Sequence, residues 1–89
     1  MSTPEIRRLV VLSTSHVSEP TAKRLDDTKA DEWPCVGGPY AYYGWFVYAH
    51  EENFGIGMDA IPDDLLTVMQ WARRHNFEYI LFDCDAETV

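Results

Sequence analysis

The sequence predicts a small α+β domain, a two-layer sandwich in β-α-β-β-α-β order with two helices on one face of a mostly antiparallel sheet. Three observations carry that expectation. Short apolar runs of strand length lie toward both ends of the chain, at residues 9–12 and 79–82. An aromatic run over residues 40–49 alternates its side chains in its second half, as a sheet strand does. Two segments with helix start and stop residues separate these runs. If residues 40–49 form one strand instead of a hairpin, the sandwich has three strands.

Leu9-Val10-Val11-Leu12 is a continuous, β-branched run preceded by two arginines, and it reads as a central strand covered on both faces. Ser13-Thr14-Ser15-His16 breaks the pattern. Ser18 suits an N-cap, with Glu19 and Pro20 in the first turn of a helix that reaches about Asp27 and buries Ala22 and Leu25. Residues 28–39 end in Trp33-Pro34-Cys35-Val36-Gly37-Gly38-Pro39, whose glycines and prolines mark a loop. Within residues 40–49, Tyr43-Gly44 is the expected hairpin turn or bulge. Trp45, Val47 and Ala49 alternate with Phe46 and Tyr48, so one face is core and the other aromatic. Residues 50–60, with Gly55 and Gly57, form a connection. Pro62 then opens the clearest element. Asp63 and Asp64 stand at its positive end, and Arg73, Arg74 and His75 at its negative end, an order that complements the helix dipole. Leu65, Val68, Met69 and Ala72 make one buried stripe, and Asn76 suits a left-handed cap. Tyr79-Ile80-Leu81-Phe82 is the last strand, followed by a polar tail.

The 89 residues fit a single domain, 1–89, and 46% hydrophobic with 25% charged residues is the balance of a folded globule. Twelve aromatic side chains exclude a disordered tail, and no apolar run approaches the ~18 residues of a membrane span. The start Met-Ser-Thr-Pro-Glu lacks the basic and apolar regions of a signal peptide, so the expected compartment is the cytoplasm. Cys35 and Cys84 are then expected as reduced thiols. Net charge is −8, and it is unevenly spread: residues 1–24 carry +2 and the remainder −10. Such a chain repels phosphate backbones, so direct nucleic-acid binding is not expected, and basic protein surfaces are its natural partners.

No complete catalytic motif is present, and neither catalytic residues, cofactor nor metal is expected. His16, His50 and His75 have no metal-ligand spacing. No Gly-x-Ser-x-Gly elbow frames a serine, and Gly37-Gly38 and Gly55-x-Gly57 lack the residues that complete a phosphate loop. The aromatic middle could stack bases, but base-stacking platforms carry Lys or Arg, and residues 30–72 contain neither. Tyr- and Trp-rich strands flanked by acids suit a protein interface instead. Asp83-Cys84-Asp85 after an apolar strand resembles the nucleophile strand of haloacid-dehalogenase-type phosphatases, whose chemistry needs a Lys, a Ser or Thr and further acids beyond that point.

Taken in order, Leu9-Val10-Val11-Leu12-Ser13-Thr14-Ser15-His16, Gly44-Trp45, Ile61-Pro62, Trp71-Ala72-Arg73-Arg74 and Tyr79-Ile80-Leu81-Phe82-Asp83-Cys84-Asp85-Ala86 resemble a further family. Its members are small proteins encoded on bacterial plasmids and integrative elements and classed as a domain of unknown function. The likeness covers most of the chain, residues 28–40 excepted. That family assigns no catalytic residues, so none carries over. It implies genomic company, because mobile elements carry small acidic proteins that blunt host defences.

The expectation is therefore a non-catalytic acidic binding protein that inhibits a host nucleic-acid-handling defence complex, of anti-CRISPR or anti-restriction type, by occupying a basic surface. Tyr42, Trp45 and Tyr48 are its expected anchors, and Asp31, Glu32, Glu51 and Glu52 its steering charges. The alternatives are a small metal-dependent hydrolytic enzyme using Asp83 and Asp85 with His16, or a self-associating accessory module; a homodimer is also allowed.

Overall fold

In the computed structural model, which describes residues 6–53 and 60–86, the chain runs through β1 (Leu9–Ser13), α1 (Glu19–Asp27), β2 (Gly37–Tyr40), β3 (Gly44–Tyr48), α2 (Asp63–Arg74) and β4 (Tyr79–Asp83). Short 3-10 turns at Thr14–His16 and Ala30–Glu32 follow β1 and α1. Gly55, Gly57 and the last residues of the polar tail lie outside the described residues. The four strands form one mixed sheet in the order β1-β4-β3-β2. β1 pairs with β4 in parallel, while β4–β3 and β3–β2 are antiparallel. The sequence reading of an α+β fold with this element order holds.

Strand alternation sorts the sheet into two unlike faces. Trp45 and Val47 of β3 register with Phe82 and Ile80 of β4. These four join Leu25 of α1 and Leu65, Met69 and Ala72 of α2 in one buried cluster. Phe82, Leu65, Met69, Ile80 and Val47 are fully buried, each contributing about 1.5–3 kcal/mol of hydrophobic stabilisation. The opposite face carries Leu9, Val11, Phe46, Tyr48, Tyr79 and Leu81, all exposed or half-buried. Phe46 stacks on Tyr79 there with ring centres 5.2 Å apart.

Local chemistry explains both helices. α1 starts at Ser18 with Pro20 in its first turn, where a missing N–H goes unused. α2 ends in a Schellman motif: Asn76 takes φ 65, its N–H reaches the Arg73 carbonyl at 3.0 Å, and the Phe77 N–H reaches the Ala72 carbonyl at 2.9 Å. Val68, placed in the buried stripe of α2 from sequence, is half-buried at its margin.

Two expectations are corrected. β1 is an edge strand with one open face, not a central strand covered on both. Both helices lie against the other face, so Leu9 and Val11 remain 41% and 49% exposed. Residues 37–40 are strand β2 and not loop, and the hairpin turn is Ala41-Tyr42-Tyr43, closed by the Tyr43 N–H on the Tyr40 carbonyl at 2.9 Å. Pro39 is tolerated because β2 is an edge. Glycine is required at position 37 because a Cβ there would fall on the Phe46 carbonyl oxygen.

Candidate interaction surface

An open groove of about 640 Å³ lies between the Ala30–Glu32 turn, the start of β2 and the chain leaving β3. Asp31 and Glu52 stand on its rim, and Trp33, Cys35, His50 and Ile61 line it. Its walls are fixed by side-chain bonds to the backbone. The Trp33 indole N–H donates to the Thr28 carbonyl at 2.9 Å, and His50 Nε2 accepts the Val36 N–H at 3.1 Å. An imidazole nitrogen that accepts is deprotonated, so His50 is neutral here. Burial, with the Arg73 guanidinium adding to it, holds the His50 pKa below its ordinary 6.5, in agreement with that bond. Burial also pushes the Cys35 thiol up to about 11, against an opposing pull from Arg24.

A second hollow of about 380 Å³ adjoins the groove through His50 and Glu52, and adds Tyr48, Glu51 and Arg73. Arg73 crosses from α2 to the end of β3. Its Nε donates to the Ala49 carbonyl at 2.7 Å, its Nη2 donates to the Tyr48 hydroxyl, and its guanidinium carbon lies 4.7 Å from the Tyr48 ring centre.

The sequence-derived docking residues therefore divide. Asp31, Glu32, Glu51 and Glu52 are all exposed. Asp31 and Glu52 share the groove, and Glu51 and Glu52 share the hollow with Tyr48; Glu32 lines neither. Tyr42 is fully exposed at the hairpin tip, beyond the Gly44 end of β3, whereas Tyr48 closes its other end. Tyr48 is half-buried, held edge-on by Tyr79 and His50. Trp45 is not a surface anchor. It is 4% exposed, packs edge-to-face on Phe82, and donates its indole N–H to Asp26 Oδ1 at 2.8 Å.

A sequence model of the C-terminal domain of DUF5983, a family of unknown function, matches residues 9–89. The chain belongs to that family. The match begins on the first residue of β1 and takes in every strand and helix described. No curated protein and no solved structure matches the chain. Among the described residues of this DUF5983 domain, no helix is long and apolar enough to cross a membrane.

Two further features of the DUF5983 domain bear on its chemistry. Asp83, Cys84 and Asp85 bring their ligand atoms within 4.8 Å of one another. The Asp83 carboxylate accepts the Asp85 N–H at 2.9 Å, which folds the chain back on itself. His16 does not join that group; its Nε2 is buried with no hydrogen-bond partner among the described residues. The hairpin tip adds Tyr40 and Tyr43, 40% and 48% exposed and paired at 5.7 Å, members of the aromatic run that are not among the expected anchors. Both cysteines are free thiols, Cys35 buried and Cys84 exposed.

Proposed function

We propose that this chain is a non-catalytic acidic binding protein that docks its groove and hollow against a basic, nucleic-acid-handling protein and so competes with the nucleic acid. In its fuller form the reading places the protein in the cytoplasm, encoded on a plasmid or integrative element, with a host anti-viral or restriction complex as target. The motif resemblance to a mobile-element family supports that fuller form.

One observation carries the reading. Asp31, Glu32, Glu51 and Glu52 are exposed, and none of them forms an ion pair among the described residues. Carboxylates left without an internal cation are available to the Arg and Lys side chains that another protein reserves for phosphate. Tyr42, with Tyr40 and Tyr43, replaces Trp45 as the aromatic contribution, since exposed tyrosines supply contact area at small entropic cost.

The test is capture of the tagged protein's partner from host lysate at low and high salt, followed by binding kinetics with the identified protein. A stoichiometric nucleic-acid-binding partner, displaced by DNA or RNA, is the expected result. Replacing the four acids by Asn or Gln should slow association by about tenfold and flatten its salt dependence. Unchanged kinetics would remove the electrostatic reading. A second reading, divalent-cation binding, has the convergence of Asp83, Cys84 and Asp85 in its favour. Stoichiometric Mn²⁺ binding lost in Asp83→Asn would promote it.

A further inference from the structure

We infer that His50 is a pH-operated gate on the acidic groove. Neutral, it braces the groove wall and leaves the rim carboxylates open to a partner's cation. Protonated, it turns out onto those carboxylates and takes the cation's place. The gate rests on the docking reading above and adds a regulation to it.

The brace is one bond that exists in one protonation state. His50 Nε2 accepts the Val36 N–H at 3.1 Å, just ahead of β2, and only an unprotonated ring nitrogen can accept. The Val36 carbonyl meanwhile accepts the Tyr48 N–H at 2.8 Å. Val36 is therefore held on two sides, by the strand ladder and by the ring. A proton on Nε2 sets two N–H donors against each other at this point. The bond to Tyr48 survives that change, so β2 stays paired with β3 while the ring is expelled. The bond that breaks is exposed, so water replaces it at small cost.

The neighbours decide where the ring goes. The Tyr48 ring centre lies 5.0 Å from that of His50 and 4.7 Å from the Arg73 guanidinium carbon, so an imidazolium would be a second cation against one tyrosine. Arg73 cannot give way, because its Nε is committed to the Ala49 carbonyl at 2.7 Å and its Nη2 to the Tyr48 hydroxyl. On the open side His50 shares the groove with Asp31 of the 3-10 turn, Cys35 ahead of β2 and Glu52, and shares the hollow with Glu51. Cys35, pushed up to about 11, stays an uncharged thiol in acid. The three carboxylates are thus the only charges that attract an imidazolium here, and they are the ones that a basic partner would use. Burial, and after it Arg73, hold His50 below its ordinary 6.5, which keeps the braced form dominant at neutrality. The native state gives up this proton more readily than the unfolded chain. The brace is therefore complete above 6.5 and is lost as pH falls through the lower native value.

The experiment combines NMR of the protein alone with a binding probe. The ring nitrogen shifts of His50 and the amide shift of Val36 are followed between about pH 7.5 and about pH 5, where ordinary carboxylates stay ionised. Binding of a hexa-arginine peptide is measured at both ends of that range. The His50 ring and the Val36 amide should titrate together, with a midpoint below 6.5. In acid the wild type should lose about fivefold more affinity for the peptide than His50→Gln, whose side-chain oxygen can accept the Val36 N–H and does not titrate. A His50 midpoint at or above 6.5, a Val36 amide that ignores the titration, or equal losses in wild type and His50→Gln would overturn the gate. Failure of the peptide to bind at the upper pH, whatever the shifts show, would overturn the docking reading and the gate that rests on it.

Discussion

One carboxylate fastens the two helices together, and its removal has a magnitude that the geometry defines. Asp64, in the first turn of α2, accepts the Ser18 backbone N–H at 2.7 Å and the Thr21 hydroxyl at 2.8 Å. The start of α1 is thereby tied to the start of α2. Thr21 is 5% exposed; in Asp64→Ala its hydroxyl keeps the contact from Ser18 Oγ but loses its acceptor. Orphaning a buried hydroxyl costs about 1–3 kcal/mol, and losing a carboxylate from a first helical turn about 0.3–1 kcal/mol. The Ser18 bond is exposed and adds little. The sum is about 1.3–4 kcal/mol, a fall in Tm of roughly 5–30 °C for a chain of this size. Urea unfolding followed by tryptophan fluorescence measures it. The pH dependence is a second check. Burial alone would raise Asp64, but the bonds from Ser18 and Thr21 outweigh it and hold the carboxyl below its ordinary 3.8. A native pKa below the unfolded one means that the native state gives up this proton more readily. The stabilisation is therefore complete above the unfolded pKa and is lost as pH falls through the native one. The gap between wild type and Asp64→Asn should be widest near neutrality and should close in acid. A deficit for Asp64→Ala under about 0.5 kcal/mol, within the range of ordinary surface substitutions, or a gap that persists in strong acid, would refute the reasoning.

Three other outcomes are expected. Ala41 sits at φ 46, a backbone state that strains L-residues by about 1–2 kcal/mol; Ala41→Gly should raise the melting midpoint by the equivalent of about 0.5–1 kcal/mol once the added unfolded-state entropy is subtracted, and a lower midpoint would contradict this. At Gly44 a Cβ would fall on the Phe82 carbonyl oxygen, with Thr14 Cγ2 3.3 Å away, so Gly44→Ala should destabilise by about 2–3 kcal/mol in the same unfolding assay. Of the two thiols, exposed Cys84 should react promptly with a disulfide reagent in native protein, while Cys35, buried and raised to about 11, should react only on unfolding; two prompt thiols would disprove the burial of Cys35.

What the sequence made legible follows from how local its determinants are. α2 was readable nearly to the residue, because the charge order from Asp63 to Arg74 and the left-handed preference of Asn76 act within a turn or two. β1 was not, because a β-branched run shows that a strand is apolar but not whether a second helix layer covers its far face. Here both helices chose the same face. β2 was missed for a related reason: Gly37, Gly38 and Pro39 are poor strand residues, and only their position at the edge, close against the β3 backbone, makes them acceptable. The alternation of Trp45 with Val47 and Ala49 already assigned Trp45 to the core, and that parity should have outweighed the general preference for tryptophan at interfaces. The acids Asp31, Glu32, Glu51 and Glu52 all lie exposed, as polar residues in loops and turns do. Which of them share a groove depends on the Ala30–Glu32 turn meeting the chain after β3, contacts between segments about 20 residues apart.

The pairing of β1 with β4 also sets an order of events. Leu9 meets Tyr79 across about 70 intervening positions, whereas the β2–β3 hairpin and the α2–β4 unit close over short loops. Loop-closure entropy makes the distant pairing late, so the first strand of the sheet is the last to find its place. On a ribosome adding about 5–20 residues per second, β1 waits several seconds for the strand that completes it. During that interval Leu-Val-Val-Leu is an uncharged apolar segment with both edges open, the stretch of this chain most in need of a chaperone.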